Sequence, residues 1–322
     1  MQDLLNTPIY KALKCYIEEV SIPFHMPGHK MGKGIPKNWS SIMAQMDVTE
    51  VPGLDNLHFP TGIIKEAQEL AALAFGADKT YFLVNGASTG IHASIMSVCS
   101  RGEKIIVSRD CHRSVIGGVI LAGACPVYVP VKVNEFYGIP TFLDLDALDK
   151  TLKENPDACA VLVTRPNYYG ICSSIEKISQ IVHSYGKVLI VDEAHGAHFK
   201  FHKKLPITSL DAGADISIQS AHKTLPALTQ SAYLHLNSDL VDINKLEFNL
   251  RLLQTTSPSY LLMSSLDLAR AIMDYSGKQL LDNLIRSIEW FTYNAKKLDG
   301  IKILKEEDLL KDYNKQSSKG MN

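Results

Sequence analysis

The 322-residue sequence has no apolar run approaching the roughly 18 residues that a membrane-spanning helix needs. It has no excess of charge of either sign: 33 Lys and Arg against 34 Asp and Glu leave a formal net charge of -1. That balance gives no electrostatic reason to expect nucleic acid or an anionic membrane as partner. No C-x-x-C pair occurs among Cys15, Cys99, Cys111, Cys125, Cys159 and Cys172, and most of these lie in apolar runs. Buried, reduced thiols in a cytoplasmic protein are therefore expected rather than a disulfide framework. The opening "MQDLLNTPIYKALKCYIEEV" carries acids early and apolar residues at helical spacing, unlike a secretory signal. Internal repeats and low-complexity segments are also missing. What remains is 46% hydrophobic and 21% charged, the composition of a soluble globular chain with one large core or two moderate ones.

Leu4, Leu5, Ile9, Ala12, Leu13, Tyr16, Ile17 and Val20 space as one face of an opening helix. The next stretch, "SIPFHMPGHKMGKGIPKNW", reads as a long loop with little core to bury, and loops of that length tend to be functional or disordered. A helix is predicted over Ile63 to Phe75, ended by Gly76. Strand-like runs come after it at Thr80 to Val84, Lys104 to Val107, Pro126 to Val129, Ala158 to Thr164, Val188 to Val191 and Ile216 to Ile218. Helical stretches such as Ile91 to Cys99 and Ile175 to Tyr185 separate most of them. Short apolar strands alternating with helices predict an α/β fold, a parallel sheet covered on both faces, with its ligand site at the carboxyl edge. Leu240 to Leu253 and Leu261 to Leu298 read as helix, the latter with Gly277 as the point of a break, before a lone apolar run "IKIL" and a polar tail.

Features that bear chemistry fall at the predicted carboxyl edge. "NGASTG", Asn85 to Gly90, joins a strand to a helix start, so free amides and the helix dipole can cradle an anion, with Ser88 and Thr89 as added donors. Ser and Thr there also serve as plain helix caps. "RDCHRSV" puts His112 on a strand-to-helix turn. "VLIVDEAHGAH" ends a buried strand at Asp192 and admits several readings. A triphosphatase carboxylate would need a G-x-x-x-x-G-K-[ST] loop, which the chain does not contain. A metal site from Asp192, His195 and His198 has no fourth ligand, and a satisfied structural acid stays open beside a carboxylate facing a protonated heterocycle. Lys223, in "SIQSAHKTLP" beside Ser220 and His222, sits at the mouth of a buried strand, where desolvation favours the neutral, nucleophilic amine. A phosphate cradle, a ring-stacking group, an acid for a pyridine nitrogen and an imine-forming lysine are together what pyridoxal 5'-phosphate requires.

The chain resembles the pyridoxal-phosphate-dependent ornithine/lysine/arginine decarboxylases of the aspartate aminotransferase fold (fold type I), in their short form without an N-terminal wing domain. The matching stretches are "FHMPGHKMG", "LDNLHFPTG", "FLVNGASTG", "DCHRSV", "VDEAHGAHF", "QSAHKTLPALTQSAYLH" and "TSPSYLLMSSLDLAR", from about Phe24 to Arg270. The resemblance implies that Lys223 carries the cofactor's aldehyde, Asp192 pairs with the ring nitrogen and His112 stacks on the ring. It places Ala194 on the opposite ring face and His195 near the ring's edge. Ala87, Ser88 and Thr89, with Ser220 and His222, would surround the phosphate or the imine. Lys223 and His222 are the candidates for returning a proton after decarboxylation, and no metal is expected. Ser257 would reach the phosphate of a neighbouring subunit, which makes the site that of a homodimer or higher homo-oligomer.

By the same resemblance the product is a polyamine or its precursor, with arginine preferred over lysine and ornithine. The domain division expected is 1–60 for the opening helix and active-site loop, 61–255 for the large cofactor domain, and 256–322 for linker helices and the start of a C-terminal domain. Short-form relatives continue further, so the expectation is a missing C-terminal domain, exposed apolar surface around Leu261 to Trp290, and weakened or absent turnover. Another lyase or aminotransferase reaction on the same cofactor, or a cofactor-binding fragment without catalysis, are the alternatives.

Overall fold

The computed structural model describes residues 8–19, 22–305 and 308–309. Leu4, Leu5 and Val20, expected on the opening helix, lie outside the described residues, as does the polar tail. The chain begins with α1 (Pro8–Glu19), α2 (Lys37–Ser41) and α3 (Ile63–Phe75), then β1 (Lys79–Leu83), α4 (Gly86–Val98), β2 (Lys104–Ser108) and α5 (Arg113–Ala122). It continues through β3 (Cys125–Val129), β4 (Val131–Asn134), β5 (Ile139–Leu143), α6 (Leu145–Glu154), β6 (Ala160–Thr164) and α7 (Ile175–Ser184). The last elements are β7 (Val188–Asp192), β8 (Ile216–Gln219), α8 (Ala221–Thr224), β9 (Ala232–Leu236), α9 (Ile243–Leu253) and α10 (Tyr260–Ala295).

Seven strands form one sheet in the order β1-β9-β8-β7-β6-β2-β3, and β9 runs antiparallel to both neighbours while the other pairings are parallel. Each face is covered, which is why the strands read as unbroken apolar runs rather than alternating ones. On one face Ile105, Val107, Leu162, Ile190 and Ile218 pack with Ile91 and Ile95 of α4, Val115 and Val119 of α5, and Leu246 and Leu250 of α9. On the other, Ile106, Val161, Leu189 and Val191 meet Leu148 and Leu152 of α6 and Ile175, Ile178 and Val182 of α7. Towards β1, Phe82 and Tyr233 pack with Phe75 of α3 and Met263, Leu266 and Met273 of α10. Each fully buried aliphatic side chain contributes roughly 1.5–3 kcal/mol, so β7, buried at all five positions, anchors the loop that leaves it at Asp192.

Three features depart from the sequence reading. The stretch from Val131 to Leu143 forms a separate two-stranded β4–β5 sheet. The apolar run "IKIL" forms no strand. The last helix passes through Gly277 unbroken, because a Cβ there would stand 3.0 Å from Cβ of Phe201; the glycine serves a close approach and not a stop. Exposed apolar side chains lie on α10 from Tyr275 onward: Tyr275, Leu280, Leu284, Ile288, Trp290 and Phe291. Its first half is buried at Met263, Leu266, Ala269 and Met273, so the exposed surface is narrower than expected.

Candidate active site

The turn from β1 into α4 is held on both sides of the peptide. The Val84 N–H donates to Oε1 of Gln254 at 2.9 Å, and its carbonyl accepts from Nε2 of Gln230 at 2.7 Å. Gly86 then adopts φ +81°, the left-handed region glycine enters without strain, and α4 starts. Gly86, Ala87 and Ser88 border a cleft of about 460 Å³ at the carboxyl edge of the sheet, a volume suited to a small ligand. The N-terminus of α4 directs its free amides and positive dipole end there. Thr89 is not brought in: its Oγ1 donates to the Asn85 carbonyl at 3.1 Å and it does not border the cleft.

His112 caps α5, its Nδ1 accepting from the Ser114 N–H at 3.2 Å and lying 2.8 Å from the Ser114 hydroxyl. Those contacts fix the imidazole plane at the cleft wall. Burial, with help from Lys223 and Arg113, lowers the His112 pKa, which favours a neutral ring. Asp192 ends β7, is 2% exposed, and accepts from the Ala194 N–H at 3.2 Å. Burial pushes its carboxyl up to about 6, against the pull of the Ala194 N–H and of Lys223. Among the described residues no cation bonds to it, so Lys223 acts on Asp192 only through space.

Lys223 lies on the short α8 that comes after β8, and burial lowers its pKa while Asp192 opposes the shift. Its Nζ is 3.0 Å from Nε2 of His195, a ring pushed down to about 4 by burial first and then by Lys223. Ser220 occupies the N-cap position of α8 without a side-chain capping bond, and His222 sets Nδ1 3.2 Å from the Ser231 carbonyl, which orients its ring with Nδ1–H donating. The loop "HMPGHK" closes on this segment within the same chain: the Gly28 N–H donates to the His222 carbonyl at 2.8 Å.

Ala87, Ser88, His112, Asp192, Ala194, His195, Ser220, His222 and Lys223 thus border one cleft, although they come from separate stretches of sequence. Ser257 does not; it is exposed, with Oγ 3.1 Å from Oγ1 of Thr255, whose N–H in turn donates to the Asn85 side chain at 3.2 Å. Asp110, Cys111, Thr164 and Tyr168, given no site role from the sequence, also border the cleft. The carboxyl-edge rule that selected Asp192 applies equally to Thr164, the last residue of β6. Asp192, His195 and His198 form no metal cluster; no group of three or more metal-ligating side chains occurs among the described residues.

The side chains fit a flat, phosphate-bearing heterocycle. A buried carboxylate without a bonded cation costs several kcal/mol until a cation such as a protonated ring nitrogen reaches it. The buried Thr164 hydroxyl has no hydrogen-bond partner among the described residues, which costs roughly 1–3 kcal/mol. Both residues border the cleft.

Comparison with known proteins supplies the remaining context. Residues 7–312 match the family model described as Orn/Lys/Arg decarboxylase, major domain. The chain is 44% identical over 290 residues to the uncharacterized protein YaaO of Bacillus subtilis, covering 88% of this chain and 60% of that one. It is 38% identical over 300 residues to an arginine decarboxylase of Bacillus subtilis, covering 92% of this chain and 61% of the relative. Among solved structures it is similar to lysine decarboxylase A from Pseudomonas aeruginosa, with a TM-score of 0.74 and 25% identity over 92% of this chain and 44% of that one. The chain therefore spans about 60% of the length of these curated relatives.

Proposed function

The chain belongs to the Orn/Lys/Arg decarboxylase family, and on that premise we propose that its cleft binds pyridoxal 5'-phosphate and removes the carboxylate of a basic amino acid. The observation that carries the reading is the convergence of Lys223, Asp192, His112 and the N-terminus of α4 on one cleft. Arginine is the favoured substrate, because the similar Bacillus subtilis enzyme acts on arginine by name and lysine decarboxylases match at lower identity.

When bound, the cofactor supplies an electron sink for the pair released as the carboxylate departs. The amides of Gly86 to Ser88 and the Ser220 hydroxyl hold its phosphate, as the α4 dipole favours. Asp192 holds a proton on the ring nitrogen; where water has little access, that ion pair is stronger than the same pair at the surface. The His112 imidazole and Ala194, which both border the cleft, would take opposite faces of the ring. Lys223, with its amine favoured in the neutral form by burial, is the nucleophile towards the aldehyde and a donor for the returning proton. His222, whose Nδ1–H is committed to the Ser231 carbonyl, could donate from Nε2 only as the imidazolium, which burial disfavours, so Lys223 is the favoured donor of the two.

The same reading makes the protein a homodimer or higher homo-oligomer in which Ser257 serves the neighbouring subunit's phosphate, supported by its exposure outside its own cleft. It places the reaction in the cytoplasm, in polyamine metabolism; the expectation of buried thiols holds only for Cys99, since Cys111, Cys159 and Cys172 are half-buried and Cys15 and Cys125 exposed. The test is release of labelled carbon dioxide by the purified chain with added cofactor, from carboxyl-labelled arginine, lysine and ornithine. The expected result is release, fastest from arginine. A chain that binds cofactor and releases carbon dioxide from none of them would overturn the proposed activity.

A further inference from the structure

Glu193 is the first residue past the β7 ladder, which ends where Asp192 pairs with Thr164 on one side and Ile218 on the other. Its side chain does not border the cleft and is fully buried among donors. Oε1 accepts from the Ser209 N–H and Oε2 from Nε2 of Gln219, both at 2.8 Å. Gln219 presents its Oε1 to Nε2 of His235 at 3.2 Å, and Nδ1 of His235 lies 2.8 Å from Oγ1 of Thr80. Thr80, His235 and Gln219 thus step across β1, β9 and β8 to the start of the loop after β7.

A carboxylate only accepts, so the direction of every bond in this chain is set from the Glu193 end. Gln219 gives its N–H to Glu193, which leaves its oxygen as the acceptor for His235. His235 is fully buried and pushed down to about 3 by that burial, so it is neutral and carries one proton, on Nε2. Its bare Nδ1 then accepts from the Thr80 hydroxyl. We propose that Glu193, as the end of this one-way chain, is the anchor that positions His195 against Lys223. The backbone over the anchor is tightly held. The Gly196 N–H donates to the Glu193 carbonyl at 2.8 Å, and a Cβ on Gly196 would stand 2.6 Å from Cγ of Glu193. Ala194 and His195 lie between those two residues, and Nε2 of His195 meets Nζ of Lys223 at 3.0 Å. Donors aligned towards one charge strengthen each other, which makes the anchor firmer than three separate bonds. The effect on cofactor capture rests on the cofactor reading above, whereas the direction of the chain does not.

The experiment reads the His235 tautomer from nitrogen-15 shifts of the histidine-labelled full chain, with the signal assigned by its loss in His235→Asn. It is run at pH 8, above the value of about 7 to which burial raises the Glu193 carboxyl. The expected proton is on Nε2; a proton on Nδ1, or on both nitrogens, overturns the inference. In Glu193→Gln the new amide donates to Gln219, so the chain reverses and the His235 proton should move to Nδ1. That variant should also capture pyridoxal 5'-phosphate about tenfold more slowly, the worth of one hydrogen bond to a charged group. Its affinity for 4'-deoxypyridoxine 5'-phosphate, which has no aldehyde for Lys223, should match that of the wild type. An unmoved proton or an unchanged capture rate overturns the inference, as does an equal loss for both ligands, which marks a purely structural role. If the wild-type chain binds neither ligand, the cofactor reading falls and the positioning role with it, while the tautomer still decides the chain.

Discussion

Lys223 and His195 are joined by a 3.0 Å contact between Nζ and Nε2, although one lies on α8 and the other in the loop after β7. His195 is pushed down to about 4, so at neutral pH its ring is uncharged and Nε2 can accept from the lysine. The contact fixes where the amine points before any aldehyde arrives. Replacing the acceptor by His195→Ala should slow covalent capture of pyridoxal 5'-phosphate by roughly tenfold, in keeping with loss of one hydrogen bond of about 1 kcal/mol that positions the amine. His195→Gln, which can still accept, should recover much of the rate. Stopped-flow absorbance of cofactor uptake checks both, and an unchanged rate in His195→Ala would remove His195 from the positioning of Lys223.

Asp192 carries a pH dependence whose sign is set by burial. Its free-chain pKa is raised to about 6, whereas a protonated ring nitrogen beside it would lower that value. Cofactor binding then releases a proton, so affinity rises with pH up to about 6 and levels off above it. Going from pH 6 to pH 5 should weaken binding by up to about tenfold. Asp192→Asn cannot ionise, and subtracting its titration curve from that of the wild type should isolate this component. Superimposable curves would contradict the pairing.

Behind the cleft, Arg165 and Glu193 form a pair with an N–O distance of 3.5 Å and side chains 4% and 0% exposed. Glu193 also accepts from the Ser209 N–H and from Nε2 of Gln219, both at 2.8 Å. Arg165→Leu leaves that carboxylate buried without its cation and should cost about 3–5 kcal/mol in urea unfolding. Burial raises the Glu193 pKa to about 7, so the ionised form is the penalised one and its contribution to stability falls as pH rises through that value. The loss in Arg165→Leu should accordingly be larger at pH 8 than at pH 5. A loss independent of pH would assign it to the Arg165 bonds with the Ser173 and Ile207 carbonyls instead.

Gly28 rests on the lysine-bearing segment so closely that a Cβ would stand 2.4 Å from the Leu225 carbonyl oxygen. Backbone must move to admit it. Gly28→Ala should destabilise the chain by about 1–3 kcal/mol, the usual range for overpacking, and should expose the loop around Pro27 to protease. Limited proteolysis with and without the substitution tests this, and equal cleavage would show that the loop does not depend on the contact.

Much of the sheet was legible in the sequence because both faces are buried. Lys104 to Ser108, Val188 to Asp192 and Ile216 to Gln219 stand out as apolar runs whichever face each side chain serves. The start of α4 was less visible: "GASTG" has small residues where helical periodicity needs large apolar ones, so only Ile91 onward announced a helix. The reversed direction of β9 and the β4–β5 sheet rest on pairings remote in sequence, which local pattern does not encode. Among the residues that border the cleft, Asp192, His112 and Lys223 were legible because each is chemically conspicuous near a strand end. Thr164 was not, since a threonine closing "AVLVT" looks like one more strand residue until its hydroxyl is found without a partner. Thr89 fails in the opposite way, a hydroxyl beside the cradle that turns back to its own helix.

The measurement closest to the central claim is peptide mapping by mass spectrometry after borohydride reduction of the protein loaded with pyridoxal 5'-phosphate. The account predicts a pyridoxyl adduct on the peptide containing Lys223, absent from Lys223→Ala, with the visible absorption lost in that variant too. An adduct on another lysine, or a chromophore that survives in Lys223→Ala, would contradict it.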